Sequence, residues 1–316
     1  MRDQHDASAV LGAGGPPTRL GVALLVLVTA GWGSTFLLVK DVVGEMPVMH
    51  FLTLRFALAA LALVALRPRT LTALTKESMA RGVALGLCLA GGYVFQTLGL
   101  QHTSAAISGF ITGLSVVFTP LFAWPLLGQR GSRATLLAVL VATGGLAVMS
   151  LRGVSVGLGE LLTLLCAILY ALQIVGLGAW SSAKDAYRLT VIQLLTVAVV
   201  CGLTTLPGGP GLPPTRLAWF GVLATALLAT AVAFVVQSWA QSFISATRAA
   251  IVFTLEPAFA GLVAYLGGEH LGWPVLLGGA LVLLAMLLAE LGPHGSSQPE
   301  GPRRGESSRG RPTIWS

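Results

Sequence analysis

Stretches of about twenty residues without a charged side chain recur along almost the whole sequence. Asp, Glu, Lys and Arg are absent from residues 20–39, 82–129, 134–151, 161–183, 189–215, 217–247 and 271–289. A helix needs about 20 apolar residues to cross the roughly 30 Å hydrocarbon core of a bilayer. Continuous apolar runs also differ from the alternating pattern of a membrane β-barrel. The sequence therefore predicts an all-α integral membrane protein.

The spacing of these runs predicts ten transmembrane helices. We place them at residues 20–39, 47–66, 81–100, 104–127, 134–151, 158–179, 189–206, 217–240, 246–267 and 273–291. Charged residues make up only 10% of the chain, against about 25% in an average soluble domain. This composition excludes an ordinary soluble globular protein.

The chain divides into four predicted segments. Residues 1–19 form a cytoplasmic N-terminal segment, residues 20–151 and 152–291 form two five-helix halves, and residues 292–316 form a cytoplasmic tail. The tail consists mainly of Gly, Pro, Ser and Arg with almost no aliphatic residues, which is typical of a disordered segment.

The distribution of basic residues predicts the orientation. With the N-terminus inside, fifteen of the nineteen Lys and Arg residues lie on the cytoplasmic side, Arg55 lies within a span, and Lys40, Arg152 and Arg216 lie outside. The positive-inside rule therefore places both termini in the cytoplasm. The net charge of +7 arises from short loops and the tail, without a basic face interleaved with aromatic residues. We therefore expect no nucleic-acid partner.

The two halves of the sequence resemble each other. Gln96 precedes the pair Ser104-Ala105 by eight residues, and Gln237 precedes the pair Ser245-Ala246 by the same eight. Other pairs follow in the same order: Pro120 with Pro257, Gly128-Gln129 with Gly268-Glu269, and Trp32 with Tyr170. Because each half holds an odd number of spans, the halves would be inverted repeats. This arrangement is common in secondary transporters, which bind substrate between the repeats near the membrane midplane.

Two further features concern helix packing and anchoring. The pairs Gly82-x-x-x-Gly86 and Gly109-x-x-x-Gly113 allow helices to approach closely, and we expect this packing within the monomer. Lys40 stands at the outer end of the first predicted span, and we interpret it as an interfacial anchor.

Short motifs follow one another in a fixed order between residues 20 and 291. They are Gly31-Trp32-Gly33-Ser34-Thr35-Phe36, Lys40, Leu54-Arg55-Phe56, Phe110-Ile111-Thr112-Gly113-Leu114, Ser245-Ala246-Thr247-Arg248, Leu255-Glu256-Pro257 and Gly268-Glu269. In this order they resemble the EamA family of the drug/metabolite transporter superfamily. The resemblance implies two five-helix repeats around a central cavity, and transport of small organic molecules, often the export of amino acids or other metabolites. The sequence departs from the family at Gln129-Arg130, where many members carry an acidic residue.

Two charged residues lie inside predicted spans, where charge is costly and needs a reason. Arg55 could face the cavity and hold an anionic group with its guanidinium. The alternatives are that it extends to the outer interface or pairs with Glu45. Glu256, directly before Pro257, could bind a proton or a substrate ammonium group. The alternative is a structural carboxylate that bonds backbone near the proline break.

Polar and aromatic side chains at similar depth complete the candidate substrate site, although they could instead only connect helices. The predicted substrate-binding residues are Trp32, Ser34, Thr35, Arg55, Tyr93, Gln96, Thr112, Tyr170, Gln173, Gln237 and Glu256. Glu256 is also the predicted proton-coupling residue. The histidines lack metal-ligand spacing, so we expect no metal and no cofactor.

These features favour a secondary transporter that exports a small organic metabolite, such as an amino acid or an amine, by alternating access. The sequence contains no Walker A motif for ATP-driven transport and no nucleophile or acid–base set that predicts an enzyme. Two alternatives stay open: a carrier of nucleotide-linked or lipid-linked substrates, and a channel or non-transporting membrane subunit. The high ratio of Arg to Lys is compatible with a GC-rich bacterial genome, and we expect the protein in the plasma (inner) membrane of a bacterium. We expect it to be a monomer or a homodimer.

Overall fold

A computed structural model of the chain describes residues 16–72, 74–128, 133–152, 155–182, 185–206, 211–244, 249 and 252–291. The predictions for most of the N-terminal segment and for the tail 292–316 lie outside the described residues. The motifs Gln129-Arg130 and Ser245-Ala246-Thr247-Arg248 also lie outside them.

Helices account for nearly all of the described chain. In chain order they are α1 Pro16–Glu45, α2 Val48–Leu66, α3 Lys76–Leu100, α4 Ala105–Leu127, α5 Arg133–Ser150, α6 Leu158–Trp180, α7 Ala186–Thr205, α8 Arg216–Ala240, α9 Glu256–Leu266 and α10 Trp273–Leu291. Leu114 divides α4 into the helices Ala105–Gly113 and Ser115–Leu127. A π-helical turn, Leu227–Val232, divides α8 into Arg216–Ala226 and Ala233–Ala240.

Two small elements connect the helices. A four-residue helix, Arg69–Thr72, lies between α2 and α3. A two-residue antiparallel β-ladder, which the sequence did not predict, pairs Leu151–Arg152 with Ser155–Val156 between α5 and α6.

Within the described residues, seven helices are long and apolar enough to cross a bilayer, namely α1 to α4 and α6 to α8. The α9 helix and most of α10 are shorter apolar helices. The helix α5 lies where the fifth span was predicted, and it has 18 residues. The protein is therefore a helical, multi-pass membrane protein.

The first helix is longer than predicted. It continues past residue 39 to Glu45, and two charged side chains of its last turns have partners on other elements. Lys40 forms an ion pair with Glu269, with Nζ 2.8 Å from Oε1. Glu45 accepts a 2.5 Å hydrogen bond from the hydroxyl of Thr215. Lys40 is therefore part of a contact between helices rather than only an interfacial anchor.

A turn divides the ninth predicted span, residues 246–267: residues 249, 252 and 253 are helical, and the helix α9 begins at Glu256. Thr254 and Leu255 form a turn just before it, and Pro257 occupies the second helical position. Proline is well tolerated there because the first turn of a helix leaves its N–H groups without helical partners. Pro257 therefore follows a break in this span and lies in the first turn of α9, and Glu256 lies at the N-terminus of α9.

The most extensive helix contacts among the described residues form a regular pattern. The pairs are α5–α10, α3–α6, α3–α7, α2–α7, α1–α9, α4–α6, α4–α9, α1–α8 and α2–α8. Each helix of the first half corresponds to the helix five places later, so that α1 corresponds to α6 and α3 to α8. Exchanging every helix for its counterpart gives the same set of pairs; for example, α3–α6 becomes α1–α8. The two halves of the chain therefore pack in equivalent ways.

Glycines allow the closest helix contacts. The predicted Gly-x-x-x-Gly pairs are used within the monomer: Gly82 lies against Ile192 and Gly86 against Thr196, between α3 and α7. Gly109 of α4 lies against Ala260 of α9. These contacts confirm the expectation of packing within one chain.

We predict that Gly33→Ala destabilises the protein by about 1–3 kcal/mol, the usual cost of overpacking. A Cβ at Gly33 would lie 2.6 Å from the carbonyl oxygen of Glu256 and 2.9 Å from the nitrogen of Ala260, so α1 would have to move away from α9. Gly31→Ala is the matched control, because a Cβ there meets nothing within 4 Å. Thermal unfolding in detergent measures both, and an equal effect of the two substitutions would contradict the prediction.

Candidate functional site

A central cavity lies between helices of both halves. Its volume is about 60 Å³, enough for only a few water molecules. Ten of the eleven predicted site residues line it: Trp32, Thr35, Arg55, Tyr93, Gln96, Thr112, Tyr170, Gln173, Gln237 and Glu256. Residues that lie more than two hundred positions apart in the chain therefore share one cavity.

Ser34 is the predicted residue that does not line this cavity. It lies on the exposed face of α1, and its hydroxyl donates a hydrogen bond to the carbonyl of Ala30. The lining residues Trp32, Thr35 and Val39 follow the spacing of one helix face. Ser34 is two positions from Trp32, roughly 200° around the helix axis, so the periodicity itself excludes it.

Arg55 is a buried cation in the cavity wall, with 3% of its surface exposed. Its Nε donates to the hydroxyl of Thr230 at 2.8 Å, and one terminal nitrogen lies 3.4 Å from the hydroxyl of Tyr93. The guanidinium carbon is 4.7 Å from the centre of the Tyr93 ring. Among the described residues, no carboxylate oxygen lies within 4.0 Å of it. Both structural alternatives, extension to the interface and pairing with Glu45, are therefore wrong.

Glu256 brings a carboxyl group to the same cavity. Within the part of the chain that is described, it forms no ion pair with any Lys, Arg or His. Its backbone carbonyl lies beside Gly33, where α1 crosses the start of α9. An acidic and a basic side chain thus line one cavity without neutralising each other.

Trp32 is fixed on one wall of the cavity. Its indole N–H donates to the carbonyl of Ala229 at 2.8 Å. Its ring lies 5.5 Å from that of Phe234 and 5.7 Å from that of Phe253, between ring centres. Tyr93 and Tyr170 form a further edge-to-face pair with ring centres 5.4 Å apart. The cavity therefore has aromatic walls on more than one side.

Amide side chains connect the helices around the cavity. Gln96 donates to the hydroxyl of Thr112 at 3.2 Å and accepts from the hydroxyl of Tyr170 at 3.3 Å. Gln173 donates to Gln193 at 2.9 Å. These residues both line the cavity and join helices, so the two uses that the sequence left open occur together.

Comparison with known proteins identifies the family. The model of the EamA-like transporter family matches residues 19–151 and, a second time, residues 157–291. The chain belongs to the EamA-like transporter family. The resemblance found in the sequence motifs is thereby confirmed, and the family is one of transporters rather than enzymes.

Two relatives from Archaeoglobus fulgidus support this assignment, and both are called uncharacterized transporters. One is 30% identical over 274 residues, which cover 86% of this chain and 85% of the relative. The other is 27% identical over 279 residues, covering 86% of this chain and 96% of the relative. A crystal structure of a protein 18% identical has a TM-score of 0.65, covering 85% of this chain and 96% of that chain. This last likeness shows the fold alone.

In this EamA-like chain, the motif Gly268-Glu269 forms a contact between three helices. Gly268 ends α9 with a φ of 92°, a left-handed conformation that favours glycine. The turn brings the Glu269 carboxylate to the start of α4, where it accepts from the N–H groups of Ala105 at 3.0 Å and Ala106 at 3.2 Å. Lys40 completes the contact, so three helices meet at one carboxylate.

These contacts determine the pKa of Glu269. Partial burial alone would raise the pKa, but hydrogen bonds from Lys40, Ala105 and Ala106 outweigh burial and lower it below its ordinary value of 4.5. Because the pKa is lowered by folding, the contact stabilises the folded protein above the ordinary pKa. This stabilisation is lost as the pH falls through the lowered pKa.

We predict that Glu269→Gln lowers the unfolding temperature at pH 7 by about 2–5 °C, since it weakens hydrogen bonds to a charged group. The gap between wild type and variant should shrink as the pH falls below 4.5. Thermal unfolding in detergent at several pH values measures this. Glu77→Gln is the control, because the Glu77–Arg81 pair joins exposed neighbours on one helix and contributes little. Parallel pH curves for wild type and Glu269→Gln would contradict the prediction.

Sequence reasoning missed the apolar part of the cavity wall and the partner of Arg55. The missed lining residues are Phe36, Val39, Leu89, Leu100, Ser115, Ile174, Phe234 and Phe253. Helical spacing could have found several of them, because they lie three or four positions from predicted residues. Thr230 had no such signal, since it touches Arg55 across 175 positions of sequence.

Proposed function

We propose that the protein is a secondary transporter that exports a small organic metabolite, an amino acid or an amine, by alternating access. The observation that carries this proposal is the central cavity, which holds one buried cation and one carboxyl group that are not paired with each other. A zwitterionic solute carries both complementary charges. Its carboxylate would bind Arg55. Glu256 would either bind its ammonium group or carry a proton instead.

The aromatic walls support a substrate with an apolar or aromatic part. Rings of Trp32, Tyr93, Tyr170, Phe234 and Phe253 surround the cavity. Aromatic faces pack well against apolar groups and also attract cations. A phenylalanine skeleton is therefore the first probe that we would use.

We further propose that ten membrane spans form two inverted five-helix repeats. The exchange symmetry of the helix contacts supports this, because it relates each helix to the one five places along the chain. The two family matches, one in each half, support it as well. In such transporters the substrate binds between the repeats. The candidate residues of this chain likewise lie between its two halves.

The small cavity supports alternating access. Ligand pockets are typically about 300–1,000 Å³, whereas this cavity is about 60 Å³. A substrate of the proposed size needs more room than this, so we expect helices of the two halves to move apart when it binds. The Lys40–Glu269 contact lies directly after Val39 of the cavity wall and would have to open on one side.

The alternatives receive less support. Nucleotide-linked and lipid-linked substrates are polyanionic, and Arg55 is the one Lys or Arg among the described cavity residues. A channel needs a continuous polar pore, whereas the cavity has a volume of only about 60 Å³ and a largely apolar and aromatic wall. We place the protein in the plasma (inner) membrane of a bacterium with both termini in the cytoplasm, supported by the basic residues of the loops. The oligomeric state would be monomer or homodimer.

The test is uptake into proteoliposomes of labelled amino acids, nucleobases and amines, with and without a proton gradient. The pool includes L-phenylalanine, phenethylamine, which lacks the carboxylate, and 3-phenylpropionate, which lacks the ammonium group. We expect saturable uptake of the zwitterion above both analogues. Equal uptake by empty liposomes across the whole pool would contradict the proposal.

A pair of neighbouring residues tests whether the cavity is the route. Thr35 lines the cavity, whereas Ser34 lies on the exposed face of the same helix. In a background without the native cysteines, a thiol reagent should inhibit Thr35→Cys and substrate should protect it. Ser34→Cys should stay active after the same treatment. Inhibition of both or of neither would place the route elsewhere.

A further inference from the structure

The π-helical turn in α8 is the one irregular turn of that membrane-length helix. At the end of Leu227–Val232, the N–H of Ala233 donates to the carbonyl of Leu228, five residues back, and to that of Thr230, three residues back. An α-helix would instead pair this N–H with Ala229, four residues back. Single π turns inside α-helices are rare and frequently occur at functional sites.

The turn presents two consecutive residues to the cavity side chains. The carbonyl of Ala229, without its α-helical partner, accepts from the indole N–H of Trp32 at 2.8 Å. The hydroxyl of Thr230, which is fully buried, accepts from Nε of Arg55 at 2.8 Å. One turn of α8 thus holds a side chain of α1 and a side chain of α2.

Thr230 differs from other threonines on these helices. The hydroxyls of Thr29, Thr53 and Thr225 donate to carbonyls four residues back on their own helices. The described hydrogen bond of Thr230 goes instead to another helix, across the cavity wall. Its oxygen fixes the one guanidinium nitrogen that is attached to the side-chain stem, which sets the plane of the group.

We propose that Thr230 is the positioning residue of Arg55 and determines the selectivity of the cavity for substrates with an anionic group. This inference rests on the proposed function. With Nε held by Thr230, the terminal nitrogens remain for a planar carboxylate, which a guanidinium binds through two parallel hydrogen bonds. A mobile Arg55 would lose this geometry while keeping its charge.

The transport test compares three variants. Thr230→Val removes the hydroxyl acceptor at nearly constant shape, whereas Thr230→Ser keeps it. Thr225→Val is the matched control, because it makes the same change about one turn earlier, where the hydroxyl bonds its own helix. For Thr230→Val we expect the KM for L-phenylalanine to rise about tenfold, with little change in maximal rate. The KM for phenethylamine, which lacks the carboxylate, should stay constant. Thr230→Ser and Thr225→Val should behave like wild type.

A second readout tests the contact without any substrate. In protein labelled with ¹⁵N-arginine, the Nε–H signal of Arg55 is assigned by its loss in Arg55→Lys. We expect Thr230→Val to shift this signal and speed its exchange with solvent, and Thr230→Ser and Thr225→Val to leave it in place.

The two readouts separate the possible failures. An Arg55 signal unchanged in Thr230→Val would overturn the positioning role, whatever transport shows. A changed signal with equal KM changes for L-phenylalanine and phenethylamine would overturn the selectivity role. If wild-type protein transports none of the probes, the proposed function fails, and with it the selectivity role, while the NMR readout still decides the contact.

Discussion

Replacing Arg55 with lysine is expected to raise the KM for L-phenylalanine by about 10–100-fold, although the positive charge is kept. The guanidinium bonds Thr230 through Nε and lies over the Tyr93 ring, and in the proposed function its terminal nitrogens would bind the substrate carboxylate. A lysine ammonium is a compact point charge on a flexible stem and cannot hold all of these contacts at once. Arg55→Gln removes the charge as well. We expect it to raise the KM for L-phenylalanine by about 10²–10³-fold, which is typical of a buried charge pair that loses one partner.

The decisive comparison is between substrates. Phenethylamine has no carboxylate for Arg55 to bind, so its KM should be unchanged or lower in both variants. Arg81→Lys serves as the control, since Arg81 pairs with Glu77 on an exposed helix surface. If both substrates lost affinity equally, Arg55 would have only a structural role and the assignment of the anion site would be wrong.

Much of the helix pattern could be predicted from the sequence because the bilayer thickness imposes a length on every apolar run. The apolar runs predicted α2, α6 and α10 to within about a residue or two at each end. The end of α1 could not be found this way. Lys40 and Glu45 looked like the start of a loop, but each is satisfied by a partner far away in sequence, so the helix continues.

The candidate site was largely predictable for a different reason. Polar groups are costly in lipid, so a few mid-span polar residues are expected to face protein or a cavity. Ser34 was assigned from its depth in the span and not from its helix face, and the periodicity of α1 corrects it. The π turn had no signal, because Leu227–Val232 consists of ordinary membrane residues and its geometry depends on partners on other helices.

Glu256→Gln is expected to abolish the stimulation of uptake by a proton gradient, reducing gradient-driven accumulation at least about tenfold while substrate exchange continues. Glutamine keeps the size and hydrogen-bonding capacity of the protonated acid but cannot release a proton. A carboxyl group without an ion-pair partner among the described residues is suited to carry a proton or to hold an ammonium group. Exchange of internal for external L-phenylalanine needs no net proton movement, so it separates coupling from binding.

The same variant distinguishes the two roles of the carboxyl group. If Glu256 binds the substrate ammonium group, Glu256→Gln should raise the KM for L-phenylalanine and leave that for 3-phenylpropionate, which lacks this group, unchanged. If it carries the proton, both substrates should lose gradient-driven accumulation and keep exchange. Glu45→Gln is the matched control, because Glu45 accepts from Thr215 at the end of α1 and does not line the cavity. Full gradient-dependent uptake by Glu256→Gln would show that this residue does not carry the coupled proton. Glu256 is the one acidic residue that lines the cavity in the described chain, so coupling would then need a group outside the cavity.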